Sequence, residues 1–118
     1  MVNPYDSAHQ LAKVLKESSE YKEFVESSNK VKAHSETLKQ IHDFFQKQMT
    51  LEMKIMTGEA PEESEVKELE DLYKLIQLHP DGLKFLNDQS KFQRLMSDIM
   101  KIVNESVSEA TKIFTERV

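Results

Sequence analysis

Apolar residues recur three and four positions apart along most of the chain, the spacing of one face of an α-helix. Tyr5, Ala8, Leu11, Ala12 and Leu15 form the first such stripe. They predict a helix from about Pro4 to Glu17, with Asn3 as N-cap and Pro4 at the first helical position. ESSEY interrupts the stripe, and Ser18 or Ser19 is available to cap a second helix carrying Tyr21, Phe24, Val25 and Val31 on one side. AHSETL predicts a restart with Ser35 as cap, continuity with the second helix being the alternative. The third helix runs to Thr57, and Gly58 suits the left-handed position just past its end. GEAPEESE connects to a fourth helix, with Pro61 in its first turn and Val66, Leu69, Leu72, Tyr73, Leu75 and Ile76 as its apolar set. HPDG is the next break: Pro80 pushes His79 out of helical geometry, and Asp81-Gly82 is a common turn pair. LKFLNDQSKF then holds one short helix, and a last helix extends to about Glu116. The expected fold is an all-α bundle of five or six helices with short connections, in one domain over residues 1–118.

Two of these helices carry unusual patterns. In the third, Leu38, Ile41, Phe44, Phe45, Met49, Leu51, Met53, Ile55 and Met56 cover an arc of roughly 200°, about twice the stripe of a helix lying on a domain surface. Such a helix is buried on two sides: it runs through the middle of the bundle, or one side faces a partner. In the last helix Phe92, Met96, Ile99, Val103, Ser106, Ala110 and Ile113 alternate at four and three, the narrow seam of a helix paired along its length. Leu95, Ile102 and Val107 broaden it, so the seam packs within the chain or serves self-association, with a twofold dimer as the default symmetry. Met49, Met53 and Met56 read most simply as gap-filling core, and alternatively as an adaptable partner-binding surface. The candidate contact set is Met49, Met53, Met56, Phe92, Met96, Ile99 and Val103.

Composition narrows the class. Two glycines and three prolines in 118 residues are too few for a turn-rich β fold. The absence of cysteine removes disulfides and thiolate metal sites. MVNPYDSAHQ has neither the basic nor the apolar region of a signal peptide, and no apolar run reaches the roughly 18 residues of a spanning helix. A soluble, cytoplasmic protein is therefore expected, with no membrane partner. Its net charge of −5 argues against generic nucleic-acid binding. Seven acids and one lysine between residues 59 and 71 hold that negative charge; helix-dipole stabilisation at the start of the fourth helix accounts for part of the cluster.

A search for chemistry is negative. His9, His34, His42 and His79 include no two that lie three to five apart, and neither a Glu-x-x-His pair nor HExxH occurs, so no helical metal pair can be written from the sequence. His42 is expected to be a boundary residue with a hydrogen-bond partner. His79 is expected at the end of the fourth helix, where a cation is favoured. The glycines are isolated, so no phosphate-cradling loop exists, and no nucleophile elbow accompanies the serines. Lys84, Lys91, Arg94 and Lys101 share one side of a continuous last helix, but Asp98, Glu105 and Glu109 share it too. A mixed solvated face is the simpler reading, and a nucleic-acid accessory role the alternative. No catalytic, cofactor or metal residue, and no small-molecule substrate, is predicted.

FFQKQMTLEMKIMTGEAPEESEVKEL, followed by LIQLHPDGLKFLNDQSKFQRLMSDIMKIV, resembles the YlbF/YmcA family of small helical proteins from Gram-positive bacteria, especially its YheA-like branch. The amphipathic helix ending in MTGE, the acid-rich restart, the break near His79 and the F-x-x-L-M-x-x-I spacing carry the resemblance. YDSAHQLAKVLKESSEYKEF resembles the family's two-helix start. The resemblance implies an all-helical bundle that self-associates, commonly as a homodimer, in a regulatory or adaptor role without catalysis. It also implies protein partners in RNA processing, and through it an influence on competence, sporulation and biofilm formation. Some relatives ligate iron–sulfur clusters through cysteines; this chain has none, which removes that cofactor here.

Overall fold

Several helix boundaries fall at residues whose chemistry explains them. The computed structural model describes residues 3–116 as six α-helices: α1 (Pro4–Glu17), α2 (Ser19–Val31), α3 (Ser35–Met56), α4 (Glu63–Leu78), α5 (Pro80–Ser106) and α6 (Ser108–Thr111), with a 3-10 turn at Lys112–Phe114. Asn3 Oδ1 accepts from the Tyr5 N–H at 2.8 Å. Ser18 serves both of its neighbours: its hydroxyl donates to the Leu15 carbonyl at 2.6 Å and accepts from the Tyr21 N–H at 3.2 Å. Between α2 and α3 the chain does break, and His34 rather than Ser35 is the N-cap.

Gly58 has φ +87°. The Glu59 N–H reaches the Lys54 carbonyl at 2.9 Å and the Gly58 N–H reaches that of Ile55 at 3.1 Å, the two bonds of a Schellman ending. A Cβ there would meet nothing within 4 Å, so an alanine would cost backbone conformation alone. Gly58→Ala is expected to lower stability by about 1 kcal/mol, read as a parallel shift of the thermal melting curve.

Four expectations about the joints are corrected. Pro61 lies outside α4, because Glu62 is the N-cap and its N–H bonds to Glu65 Oε1 at 3.4 Å. Asp81-Gly82 forms no turn: once Pro80 fixes the first helical position, those residues enter the first turn of α5. The short helix predicted after them is the beginning of the long one, a single 27-residue rod of about 40 Å. That rod ends at Ser106, ten residues earlier than predicted, at Val107.

Two antiparallel pairs form the body. Along α2 and α5, the Phe24 ring lies 5.4 Å from that of Phe85 and 5.7 Å from that of Phe92. Along α3 and α4, Lys54 pairs with Glu65 at 2.8 Å, Lys47 with Glu68 at 3.5 Å, and the Phe44 ring lies 5.5 Å from that of Tyr73. The pairs join where Val31, Ile41, Phe44, Ile76 and Leu86 make the buried cluster, with Leu38, Phe45, Leu69, Leu72 and Phe85 around it. Gly82 permits this junction, because a Cβ on it would lie 2.5 Å from the Ile76 carbonyl oxygen.

The molecule is elongated and thin, 50 × 40 × 15 Å. Its radius of gyration is 18.3 Å, against about 13.5 Å for a compact chain of this length. The four long helices α2–α5 enclose one small core of five buried apolar side chains, and much helix surface beyond it stays uncovered. The two-sided burial expected of α3 is therefore met only in its first half, at Thr37, Ile41 and Phe44.

Candidate functional site

The second half of α3 carries its apolar arc into solvent. Met49 is 63% exposed, Met53 62% and Met56 86%, with Ile55 beside them. The gap-filling core reading of these methionines is thereby overturned within the chain, since a core residue needs neighbours on all sides. The helix is formed by local propensity and by pairing with α4 through Lys47 and Lys54, which leaves the methionine side uncovered. A cleft of about 450 Å³ opens at the base of this surface, lined by Phe45, Met49 and Glu52 of α3, Tyr73 of α4, and Gln89 and Gln93 of α5.

The α5 seam divides along its length. Phe92 packs within the chain, its ring 5.6 Å from that of Tyr21 and 5.7 Å from that of Phe24. Met96 and Ile99 are half-buried, whereas Met100, Ile102 and Val103 are exposed, as are Val107, Ile113 and Phe114 beyond them. The first turns of the seam are thus intramolecular, and its far end is open.

A minority of the charged groups are paired, at a few defined places. The hydrogen bond from Lys54 holds the Glu65 carboxyl below the usual carboxylate range, and the same bond raises the Lys54 ammonium. These contacts tie part of the acidic stretch to α3. On α5, Lys84 bonds to Asp88 and Lys101 approaches Glu105 at 3.9 Å, while Lys91 and Arg94 share a groove with Glu20 and Asp98. The basic side proposed for nucleic acid is therefore interleaved with acids.

The sequence did not reveal two polar clusters. Asp88 is 1% exposed, bonded to Lys84 Nζ at 3.0 and 2.7 Å and to the Ser27 hydroxyl across the α2–α5 contact. The i, i+4 spacing of Lys84 and Asp88 was its only sequence signal. The second cluster joins His34, at the α2–α3 break, to His79 and Asp81, at the α4–α5 break. His34 Nε2 is 2.9 Å from Asp81 Oδ2, and the two imidazole centroids lie 4.2 Å apart. His79 ends α4 as its C-cap, as expected, and its Nδ1 accepts the Asp81 N–H at 3.2 Å, so the same residue also caps α5. His42 is exposed rather than a boundary residue.

This arrangement defines an all-helical protein with uncovered apolar helix faces and polar pairs serving as caps and cross-ties. The chain belongs to the YlbF/YmcA family: the family model described as "Control of competence regulator ComK, YlbF/YmcA" matches residues 5–108. A UPF0342 protein of Caldicellulosiruptor saccharolyticus is 35% identical over 114 residues, covering 97% of this chain and 95% of its own. A UPF0342 protein of Symbiobacterium thermophilum is 35% identical over 103 residues, covering 87% and 92%. The solved structure of a protein of unknown function (DUF964) from Bacillus stearothermophilus has a TM-score of 0.73 at 15% identity, with 94% of this chain and 97% of that one covered. That likeness speaks to the fold. Among the described residues, no helix is long and apolar enough to cross a membrane.

Proposed function

We propose that the protein is a noncatalytic regulatory adaptor that works in the cytoplasm as a homodimer, its methionine surface covered by a second copy. The supporting observation is the exposed methionine side of α3 on an elongated molecule. Its accessible surface is 9671 Å², against about 6,600 Å² for a compact monomer of 13.8 kDa. The excess of about 3,000 Å² is several times the roughly 800 Å² that each partner buries in a standard interface. Met49, Met53 and Met56 supply the adaptable apolar centre of such an interface, and Val103 with Met96 and Ile99 the far end of the α5 seam. The family's description supports a regulatory role in the control of competence, and the resemblance to better-studied YlbF/YmcA relatives extends it to protein partners in RNA processing.

Met53→Glu with Met56→Glu places two charges where the partner would bury them, on side chains that are exposed in the single chain. Sedimentation of the wild type should give a dimer, and the double variant should raise the dissociation constant at least about 100-fold with helix content unchanged. A wild type that sediments as a monomer at micromolar concentration overturns the dimer. The adaptor role is tested separately by crosslinked purification from the native bacterium, with and without nuclease. Recovery of RNA-processing proteins that survives nuclease supports it; recovery of this chain alone removes it.

A further inference from the structure

We propose that His34, His79 and Asp81 form a binding site for one divalent transition-metal ion of the zinc type. One ligand atom from each lies within 4.8 Å of the others, and the His34–Asp81 edge is 2.9 Å. A tetrahedral ion with ligands at about 2.0 Å needs edges of about 3.3 Å. Side-chain rotations of an ångström or so therefore reach that geometry without moving a helix. The ion takes the place of the proton shared between His34 Nε2 and the Asp81 carboxylate. On the third side it meets His79, whose Nδ1 then gives up the Asp81 N–H. All three residues are half-buried, so the fourth position faces water.

The donor set selects the class of ion. Two imidazoles and one carboxylate suit zinc, cobalt or nickel, whereas calcium and magnesium demand oxygen ligands. The first turns of α3 and α5 converge here, and their dipoles oppose any cation. Asp81 offsets part of that field, and nitrogen coordination must supply the rest, which further disfavours hard ions. The two histidines stand 45 positions apart in the sequence, each at a helix break, and folding alone brings them together. A bound ion would tie the α2–α3 joint to the α4–α5 joint, beside the junction where the two helix pairs meet.

The test uses the full chain stripped with chelator and titrated with Zn2+ by calorimetry and with Co2+ by visible absorption. The expected result is one ion per chain, the intense d–d absorption of tetrahedral Co2+, and a higher melting temperature with Zn2+. His34→Gln keeps a donor for Asp81 and removes the imidazole; because the His34 side chain makes no cap hydrogen bond, the variant retains the fold. It should lose at least about tenfold in affinity together with the thermal shift, and His79→Gln should do the same. A His9→Gln, His42→Gln double variant should bind as the wild type does. Unchanged binding in His34→Gln, an octahedral Co2+ spectrum, or no heat of binding in the wild type would each overturn the site.

Discussion

Replacing Gly82 with alanine is expected to cost about 3 kcal/mol, the upper part of the range for overpacking, and to lower the melting temperature by about 12 °C in a chain of this size. Helix propensity alone predicts the opposite sign, because alanine inside a helix is favoured over glycine by up to about 1 kcal/mol. Geometry decides between them. The added Cβ would lie 2.5 Å from the Ile76 carbonyl oxygen and 3.1 Å from both Ile76 Cγ2 and Thr37 Cγ2. The first of these is backbone, so no rotamer change relieves it, and α5 must move away from α4. Ile76 is the most deeply buried residue of the core, so that movement opens the centre of the molecule. Shortening Ile76 to alanine in the same chain would not rescue the variant, since the carbonyl oxygen remains. Thermal unfolding followed by circular dichroism at fixed protein concentration measures the effect, with Asn87→Ala on the exposed side of α5 as control. An increase in stability would show that the α4–α5 contact is looser than 2.5 Å implies.

Gly82 also shows where sequence reading succeeds and where it stops. Boundaries set by local chemistry were legible: Asn3 and Pro4, Ser18, Gly58, and His79 before Pro80 each act within a turn of their own position. The Asp81-Gly82 pair misled because its turn propensity competes with the helix start that Pro80 imposes, and because the close approach of Ile76 comes from another helix. The broad arc of α3 was read as burial on two sides, which holds within the chain for its first half only. Its two halves meet different fates, however, since α5 packs near Phe44 and diverges by Met49. Spacing within a helix cannot encode where a neighbouring helix diverges. The His34, His79 and Asp81 cluster was invisible for the same reason. A search for ligands three to five residues apart finds sites built on one helix, whereas this one is built from two interhelical joints.

Asp88→Ala is expected to destabilise the fold by about 2 kcal/mol at neutral pH, the scale of hydrogen bonds to a buried charged group, and the loss should fade in acid. Burial pushes the Asp88 carboxyl up, but hydrogen bonds from Lys84 and Ser27, with the charges of Lys84 and Lys91, outweigh it and hold the group below the usual carboxylate range. A carboxyl whose folded pKa is depressed stabilises the fold above its unfolded value of about 3.9. That contribution disappears as pH falls through the lower folded value, where the native carboxyl too is protonated. Wild type and Asp88→Ala should therefore converge in denaturant melts as pH falls through that depressed folded value. Lys84→Met separates burial from pairing, because it leaves the carboxyl buried with Ser27 as its remaining hydrogen-bond partner. Desolvation then dominates, the folded pKa rises above the unfolded one, and the native state binds the extra proton. The sign of the pH dependence reverses: this variant should lose stability relative to Asp88→Ala as pH rises above the unfolded value of about 3.9. Parallel pH profiles for the two variants would mean that water or Lys91 replaces Lys84, and that the α2–α5 contact depends on its aromatic rings rather than on this buried ion pair.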